Sequence, residues 1–445
     1  MKRLIACLLF AVISVSGFAE VKKLEPYSVE LVKKAEAGDS QAQFLVGRYL
    51  LRGIGVSKNE QEALKWYMLS AKQGHVKSMN TLGTFYLDNK VDSPETDAEI
   101  AKAVPEMSFS IAKKDKKQPH NLEQAVYWFF LSADGGNPRA KYNIGLLYRD
   151  GRGLEQSDID AVKWWKVAAS EGVVSAQISL SNAYHDGRGC EKNDSKAFEL
   201  MCMAANKAPQ DEPEEVEVAN AQAYLGHYYF QGIGVAKNLS ESFRWSAKSA
   251  ENGSAIGQNN LGNAYYEGNG TEKNISNAVV WYQKSAAQGN NDATYQLGWF
   301  SEKGIGLEKS YEKAFSYYKK AADNENPKAQ NNLANLYSKG LGVQKNESEA
   351  YRLWLRSSLQ TNTFAFANLG LCFEKGTGVK VNISEAFRWY EKGALAGEPS
   401  AEYYLGRCYE SGNGVDKNLD TAKQFYLKAA DQGLKEAKEA VGSLE

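Results

Sequence analysis

The stretch AIGQNNLGNAYYEGNGTEKNISNAVVWYQKSAAQG, residues 255–289, decides the fold. From Gln258 to Glu267 the pattern is helical, with Leu261, Gly262 and Tyr265 on one face. Gly268-Asn269-Gly270 breaks it. Asn274 then precedes Ala278, Trp281, Tyr282 and Ala286, which are spaced for a second amphipathic helix. Gly289 ends that helix as a C-terminal glycine. The unit is helix A, tight glycine turn, helix B, turn.

The same unit recurs every 36 residues when it is anchored on the helix-A glycine. Gly47 and Gly83 are one such step, Gly226, Gly262 and Gly298 follow at the same spacing, and so do Gly370, Gly406 and Gly442. Ala334 stands where a glycine would fall, and Ser181 follows Gly145 by the same interval. Only Gly83 to Gly145 (62 residues) and Ser181 to Gly226 (45 residues) break the period. A fixed period of this size means stacked repeats, each burying its apolar face on its neighbours.

Capping residues test the phase independently. Four residues before the helix-B alanine stand Asn59, Asn121, Ser157, Asn193, Asn238, Asn274, Ser310, Asn346, Asn382 and Asn418. All ten are residue types that close a helix N-terminus, each worth about 1 kcal/mol over alanine. Five of these asparagines also open Asn-x-Ser glycosylation sequons, but their shared phase makes capping the better reading. The recurring Gly-x-Gly pairs follow a helix rather than a strand, so they are hairpin turns and not phosphate cradles.

Residues 329–354, AQNNLANLYSKGLGVQKNESEAYRLW, and 401–433, AEYYLGRCYESGNGVDKNLDTAKQFYLKAADQG, resemble Sel1-like repeats, relatives of the tetratricopeptide repeat. The resemblance runs over about residues 28–442 and is specific for fold. It implies an all-α, right-handed α-solenoid of about ten repeats with helical caps, and a concave groove lined by helix A. For function it implies adaptor work in secretion, envelope signalling or host contact. Some periplasmic members resemble immunity proteins that neutralise a toxin enzyme, and some cysteine-rich relatives have been linked to β-lactam binding.

The expected organisation runs in order. Residues 1–19 read as a secretory signal peptide: basic Lys2-Arg3, an apolar run from Leu4 to Val15, and small residues before Glu20. That run is too short to span a bilayer. Residues 20–41 form an N-terminal cap helix; 42–205 hold repeats one to four with an insertion at 88–120; 206–220 form an acidic inter-repeat insertion. Residues 221–433 hold repeats five to ten, and 434–445 a C-terminal cap helix rich in charge. The two insertions read as long loops, which are functional or disordered. The expected location is periplasmic or secreted.

The chain carries 53 basic and 54 acidic side chains, a net charge of −1. Loss of residues 1–19 removes Lys2 and Arg3 and no acid, which makes the balance more acidic still. Nucleic-acid binding is disfavoured on that ground and by export. Four cysteines remain after cleavage. Cys372 and Cys408 share one repeat position and read as free, buried thiols; Cys190 and Cys202 share one repeat and are close enough in sequence to pair.

Tryptophan placement separates structure from surface. Trp66, Trp128, Trp164, Trp245, Trp281 and Trp389 occupy one helix-B position, and Trp165 and Trp354 the next; all eight read as core. Trp299 follows the anchor Gly298 on the helix-A face expected to line the groove, with Tyr295 one turn before it. The same two positions are Asn259 and Asn263 in the preceding repeat and Asn331 and Asn335 in the following one, and Tyr266 lies close by in sequence. Aromatic anchors supply binding energy, and asparagine amides pair with an extended peptide backbone. The expected partner site is therefore Trp299, Tyr295, Asn259, Asn263, Tyr266, Asn331 and Asn335. The plainer reading is that these asparagines pack against adjacent helices.

No catalytic, cofactor or metal constellation is expected. His185 and His227 fall on groove-facing positions of adjacent A helices, but no third ligand is identifiable. Ser-x-x-Lys occurs at Ser110/Lys113 and Ser316/Lys319 without its companion motif. The leading expectation is an exported, non-catalytic scaffold that binds a protein partner in its groove. The alternatives are a periplasmic immunity protein and, at some distance, a β-lactam-binding or hydrolysing enzyme.

Overall fold

The computed structural model describes residues 26–88 and 121–444. The expected signal peptide and nearly all of the insertion at 88–120, including Ser110 and Lys113, lie outside the described residues. Among those residues the structure is all helical, in two compact units divided after Asn252. The first holds α1 (Val29–Glu36), α2 (Ser40–Arg52), α3 (Glu60–Lys72), α4 (Val76–Leu87), α5 (Asn121–Asp134), α6 (Pro138–Asp150), α7 (Asp158–Ser170), α8 (Val174–Asp186), α9 (Asp194–Ala205), α10 (Glu212–Gln231) and α11 (Leu239–Glu251). The second holds α12 (Ala255–Glu267), α13 (Ile275–Ala287), α14 (Asn291–Lys303), α15 (Tyr311–Asp323), α16 (Pro327–Lys339), α17 (Glu347–Leu359), α18 (Phe364–Lys375), α19 (Ile383–Leu395), α20 (Pro399–Ser411), α21 (Leu419–Asp431) and α22 (Lys435–Ser443). Within each unit a helix packs chiefly on its neighbours in sequence, as stacked hairpins of a solenoid do.

Helix boundaries follow the capping chemistry. Asn274 accepts the Asn277 backbone N–H at 2.9 Å, Asn346 that of Glu349 at 3.0 Å, and Asn418 that of Thr421 at 2.9 Å. Asn59, Ser157, Asn193, Asn238, Ser310 and Asn382 cap in the same way. Asn121 is the first described residue of α5. At the other end of helix A, Gly268 closes α12 at φ 81°, a left-handed conformation that costs glycine nothing.

In most repeats the anchor glycine admits a ring. A Cβ on Gly298 would lie 2.7 Å from Tyr318, and one on Gly370 would lie 2.2 Å from Tyr390. These rings sit twenty residues after their anchors, at a position also held by Tyr67, Trp165, Tyr282, Trp354 and Tyr426, all buried. This corrects the expectation for tryptophan. Trp128, Trp165, Trp245 and Trp354 are buried, but Trp66, Trp164, Trp281 and Trp389 are only half-buried. Successive residues on a helix point about 100° apart, so the position before the core ring is turned towards its rim. There, Trp281 lies under the Lys284 ammonium at 4.0 Å and Trp389 under that of Lys392 at 4.4 Å.

A polar seam ties several of the hairpins together. Ser285 on α13 donates to the Ala255 carbonyl at 2.6 Å, and Gln288 donates to Gln258 Oε1 at 2.8 Å. Ser70 to Ser40, Ser249 to Ala219 and Ser357 to Pro327 repeat the first bond, and Gln73 to Gln43 and Gln360 to Gln330 the second. Ser132 makes the same bond to the Val76 carbonyl at 2.6 Å across the sequence that contains the first insertion.

The acidic segment at 206–220 is not a loop. Its second half is the start of α10, a 20-residue helix that begins two turns before the regular helix-A start. Asp211 caps it by accepting the Glu214 N–H at 3.1 Å. Glu214 is buried, accepts the Gln210 N–H at 2.7 Å, and pairs with Lys207, which also donates to the Gly172 carbonyl at 2.6 Å. Carboxylates in a first helical turn are favoured by the exposed N–H groups there. At the chain ends, α1 and α22 occupy the segments expected as cap helices.

One cap is a histidine. His75 opens α4 by accepting the Ser78 N–H on Nδ1 at 3.3 Å, while Nε2 lies 3.0 Å from Gln41 Oε1. The ring is therefore neutral, with its proton on Nε2. Burial, then the charge of Lys77, holds it below its usual value of 6.5, against the opposing pull of Asp39. The unfolded chain thus takes up the proton first, so this contribution is complete above about pH 6.5 and is lost as pH falls below that value. Urea unfolding curves of the wild type should weaken below that pH relative to His75→Asn, which caps without titrating. Parallel pH profiles for the two proteins would remove His75 from this role.

Candidate functional site

In the second unit the A helices α14, α16, α18 and α20 together form a concave groove of about 610 Å³. Helix A is exposed there because helix B covers its other side, and its groove-facing residues recur every three or four positions. Tyr295 and Trp299 come from α14, Asn331 and Asn335 from α16, and the groove continues over Phe364 and Asn368 of α18 to Tyr404 of α20. Four of the seven expected residues therefore line one site.

The other three are placed differently. Tyr266 packs edge-on against Trp299, with ring centroids 5.9 Å apart, and so holds the indole from the preceding repeat. Asn263 accepts the Tyr282 hydroxyl at 2.7 Å, and Asn259 is buried. For these two asparagines the plainer reading, packing between helices, describes what the structure shows. Trp299 itself is half-buried between the cores of successive repeats, and its indole N–H meets no acceptor among the described residues.

A hydrogen-bonded network stiffens the floor. Tyr318 donates to Glu302 at 2.8 Å and receives the Asn332 amide at 3.1 Å. Asn331 donates to Asn332 Oδ1 at 3.2 Å and accepts the Asn368 amide at 3.2 Å. The tyrosine–carboxylate pair recurs at Tyr390 and Glu374 (2.6 Å) and at Tyr426 and Glu410 (2.5 Å). Burial, then the neighbouring carboxylate charge, pushes the Tyr318 hydroxyl far above its ordinary value, so it stays a donor. Tyr295 is raised by burial against a lowering hydrogen bond from Asn332. Asn332, Phe364, Asn368 and Tyr404 were missed in the sequence. Asn332 and Asn368 do share one repeat position, two before the anchor, and that recurrence was the available signal.

Two of the chemical candidates elsewhere are already paired. His185 Nδ1 lies 2.6 Å from Asp194 Oδ1. Lys319 pairs with Asp323 at 2.9 Å, a hydrogen bond that raises its basicity and keeps it charged, the opposite of what a general base needs. Cys190, Cys372 and Cys408 are free thiols, and Cys202, Cys372 and Cys408 are buried. Burial pushes the Cys372 thiol up to about 12 and Cys408 to about 11, far from a reactive thiolate. No helix of the described residues is long and apolar enough to cross a membrane.

The family model for the Sel1 repeat matches ten segments: residues 40–75, 115–137, 138–173, 174–208, 219–254, 255–290, 291–326, 327–362, 365–398 and 399–434. The chain belongs to the Sel1 repeat family. This Sel1 repeat protein is similar to a solved protective antigen, present in uropathogenic Escherichia coli strains, that displays an SLR fold. The identity is 31%, over 93% of this chain and 81% of that one, with a TM-score of 0.57. A Sel1 repeat protein from Oxalobacter formigenes is 27% identical over 57% of this chain and 96% of its own, with a TM-score of 0.49. An immunity protein from Pseudomonas aeruginosa is 19% identical over 52% of this chain and 82% of its own, with a TM-score of 0.34, too distant to carry an argument. Sel1 repeats are in general interaction scaffolds rather than catalysts, and the ten repeats here make this chain a scaffold suited to holding another protein.

Proposed function

We propose that this Sel1 repeat protein is an exported, non-catalytic scaffold that holds a protein partner in the groove of its second unit. One observation carries the reading: Trp299 and Tyr295, with Asn331 and Asn335 beside them, line a single concave surface, and their supporting network leaves the Trp299 indole N–H unengaged. Tyr266 belongs to the site as the residue that positions Trp299. Export is supported by the leader-like residues 1–19 and by the likeness to a protective antigen, since an antigen must be reachable by antibody.

A photo-crosslinking amino acid at Asn335, with a control at the exposed Ser316 of α15, tests the reading. In envelope and secreted fractions, Asn335 should give a discrete adduct that Ser316 does not give, and Trp299→Ser should erase it. Identical adducts from both positions, or an adduct indifferent to Trp299, would remove the groove as the binding surface.

A further inference from the structure

The groove floor has an order that names the chemistry of its occupant. Lys328, Asn331, Asn335 and Lys339 all line it, spaced three, four and four residues apart, and so stand on one face of α16. Lys328 lies in the first turn and Lys339 in the last, eleven residues or about 16 Å along the axis. The carboxylates that line the groove are already committed. Glu302 takes the Tyr318 hydroxyl and pairs with Lys303 at 2.7 Å. Glu398 caps α20, accepting the Ser400 N–H at 3.2 Å and the Ala401 N–H at 2.6 Å. Lys328 and Lys339 pair with no acid among the described residues, and the Asn335 amide has no hydrogen-bond partner there either.

Resting on the groove reading above, we propose that the occupant is an extended, acidic segment of a partner protein. It lies along α16 with one carboxylate at Lys328 and another at Lys339, its backbone at Asn335, and an apolar side chain against Trp299 and Phe364. Carboxylates four residues apart stand on the same side of an extended chain, about 13 Å from each other. The flexible lysine stems close the remaining gap. Two cations at the ends of a polar stripe, with aromatic walls beside it, select an acidic segment over a neutral or basic one through charge complementarity.

A fluorescein-labelled decapeptide with glutamate at positions 3 and 7 in a leucine, serine and glycine background tests this by anisotropy on the full chain. Wild-type protein should bind it, more weakly as salt rises, and should not bind the version with lysine at those positions. Lys328→Glu with Lys339→Glu should weaken binding by at least about tenfold, while Lys320→Glu on α15 should leave it unchanged. Trp299→Ser should weaken binding of the acidic peptide as well. Equal binding of the acidic and lysine peptides, indifference to the double reversal, or no binding of the acidic peptide would each overturn the proposal. If a peptide with serine at both positions binds as tightly and is lost with Trp299→Ser, the acidic occupant is wrong and the groove reading stands. If the acidic peptide binds regardless of Trp299, its site lies elsewhere and this proposal falls. Lysine-dependent self-association in sedimentation would make a second copy of the chain the occupant and overturn it too.

Discussion

Tyr318→Ala should destabilise the second unit by about 3–5 kcal/mol, the cost of deleting a buried ring. Tyr318 is 0% exposed, fills the space that Gly298 leaves open, and packs against the Tyr295 ring at 5.8 Å between centroids. Its hydroxyl also bonds Glu302 and Asn332, so the truncation takes one hydrogen bond from each of two groups on the groove floor. Tyr318→Phe isolates that second effect and should cost about 1–2 kcal/mol, the net worth of the hydrogen bonds lost. Trp281→Ala is the informative contrast. Its ring is larger but half-buried, and the lost contact with Lys284 is worth no more than about 1–2 kcal/mol. Urea titrations followed by circular dichroism rank the three. A Trp281→Ala loss equal to that of Tyr318→Ala would mean that the core position has been assigned one residue too late.

The other large effect concerns binding. Trp299→Ser should reduce affinity for the groove's partner by about 2–4 kcal/mol, the range for an aromatic hot spot. At 1.4 kcal/mol per decade this is roughly 30-fold to a thousandfold. The fold should suffer less than from Tyr318→Ala, because Trp299 is half-buried and its ring contacts are with Tyr266 and Phe300. Helicity should therefore stay intact. A variant that loses binding only in proportion to lost helicity would make Trp299 a packing residue and nothing more. Tyr266→Ala supplies the companion measurement: it leaves the indole in place but unsupported, and should give a smaller loss of affinity in the same direction.

Much of this architecture was legible in the residues. The spacing of Gly262, Gly298 and Gly370 fixed the hairpin period, and Asn274 and Asn346 marked where helix B begins. What the period did not reveal was why those glycines are there. Tryptophan is the largest apolar side chain, so Trp281 read as core, whereas the ring that meets the glycine is the next residue, Tyr282. A one-residue step turns a helical side chain from the core to its rim, and periodicity alone does not say which of two adjacent aromatics wins. The acidic run around Glu214 read as a loop because of its charge. Asp211 as a cap and Pro213 in the first turn were helix-start signals that the charge obscured. In the groove, Trp299 and Asn335 were found by phase. Asn332 and Asn368 were not, because their role depends on Tyr318 and Asn331 meeting them across the hairpin stack.

The serine seam has a consequence for how such a chain changes over time. Each bond of the kind made by Ser285 to Ala255, and by Gln288 to Gln258, begins and ends within one hairpin. A duplicated or deleted hairpin therefore carries these fastenings with it, and only the bonds between hairpins, such as Asn332 to Tyr318 and Gln330 to Ala322, have to be remade. The seam from Ser132 to Val76 holds although the intervening chain is 26 residues longer than the period allows. The cassette of inheritance in this protein is the closed hairpin, and the first insertion enters between its two helices at the end opposite to the one the seam fastens.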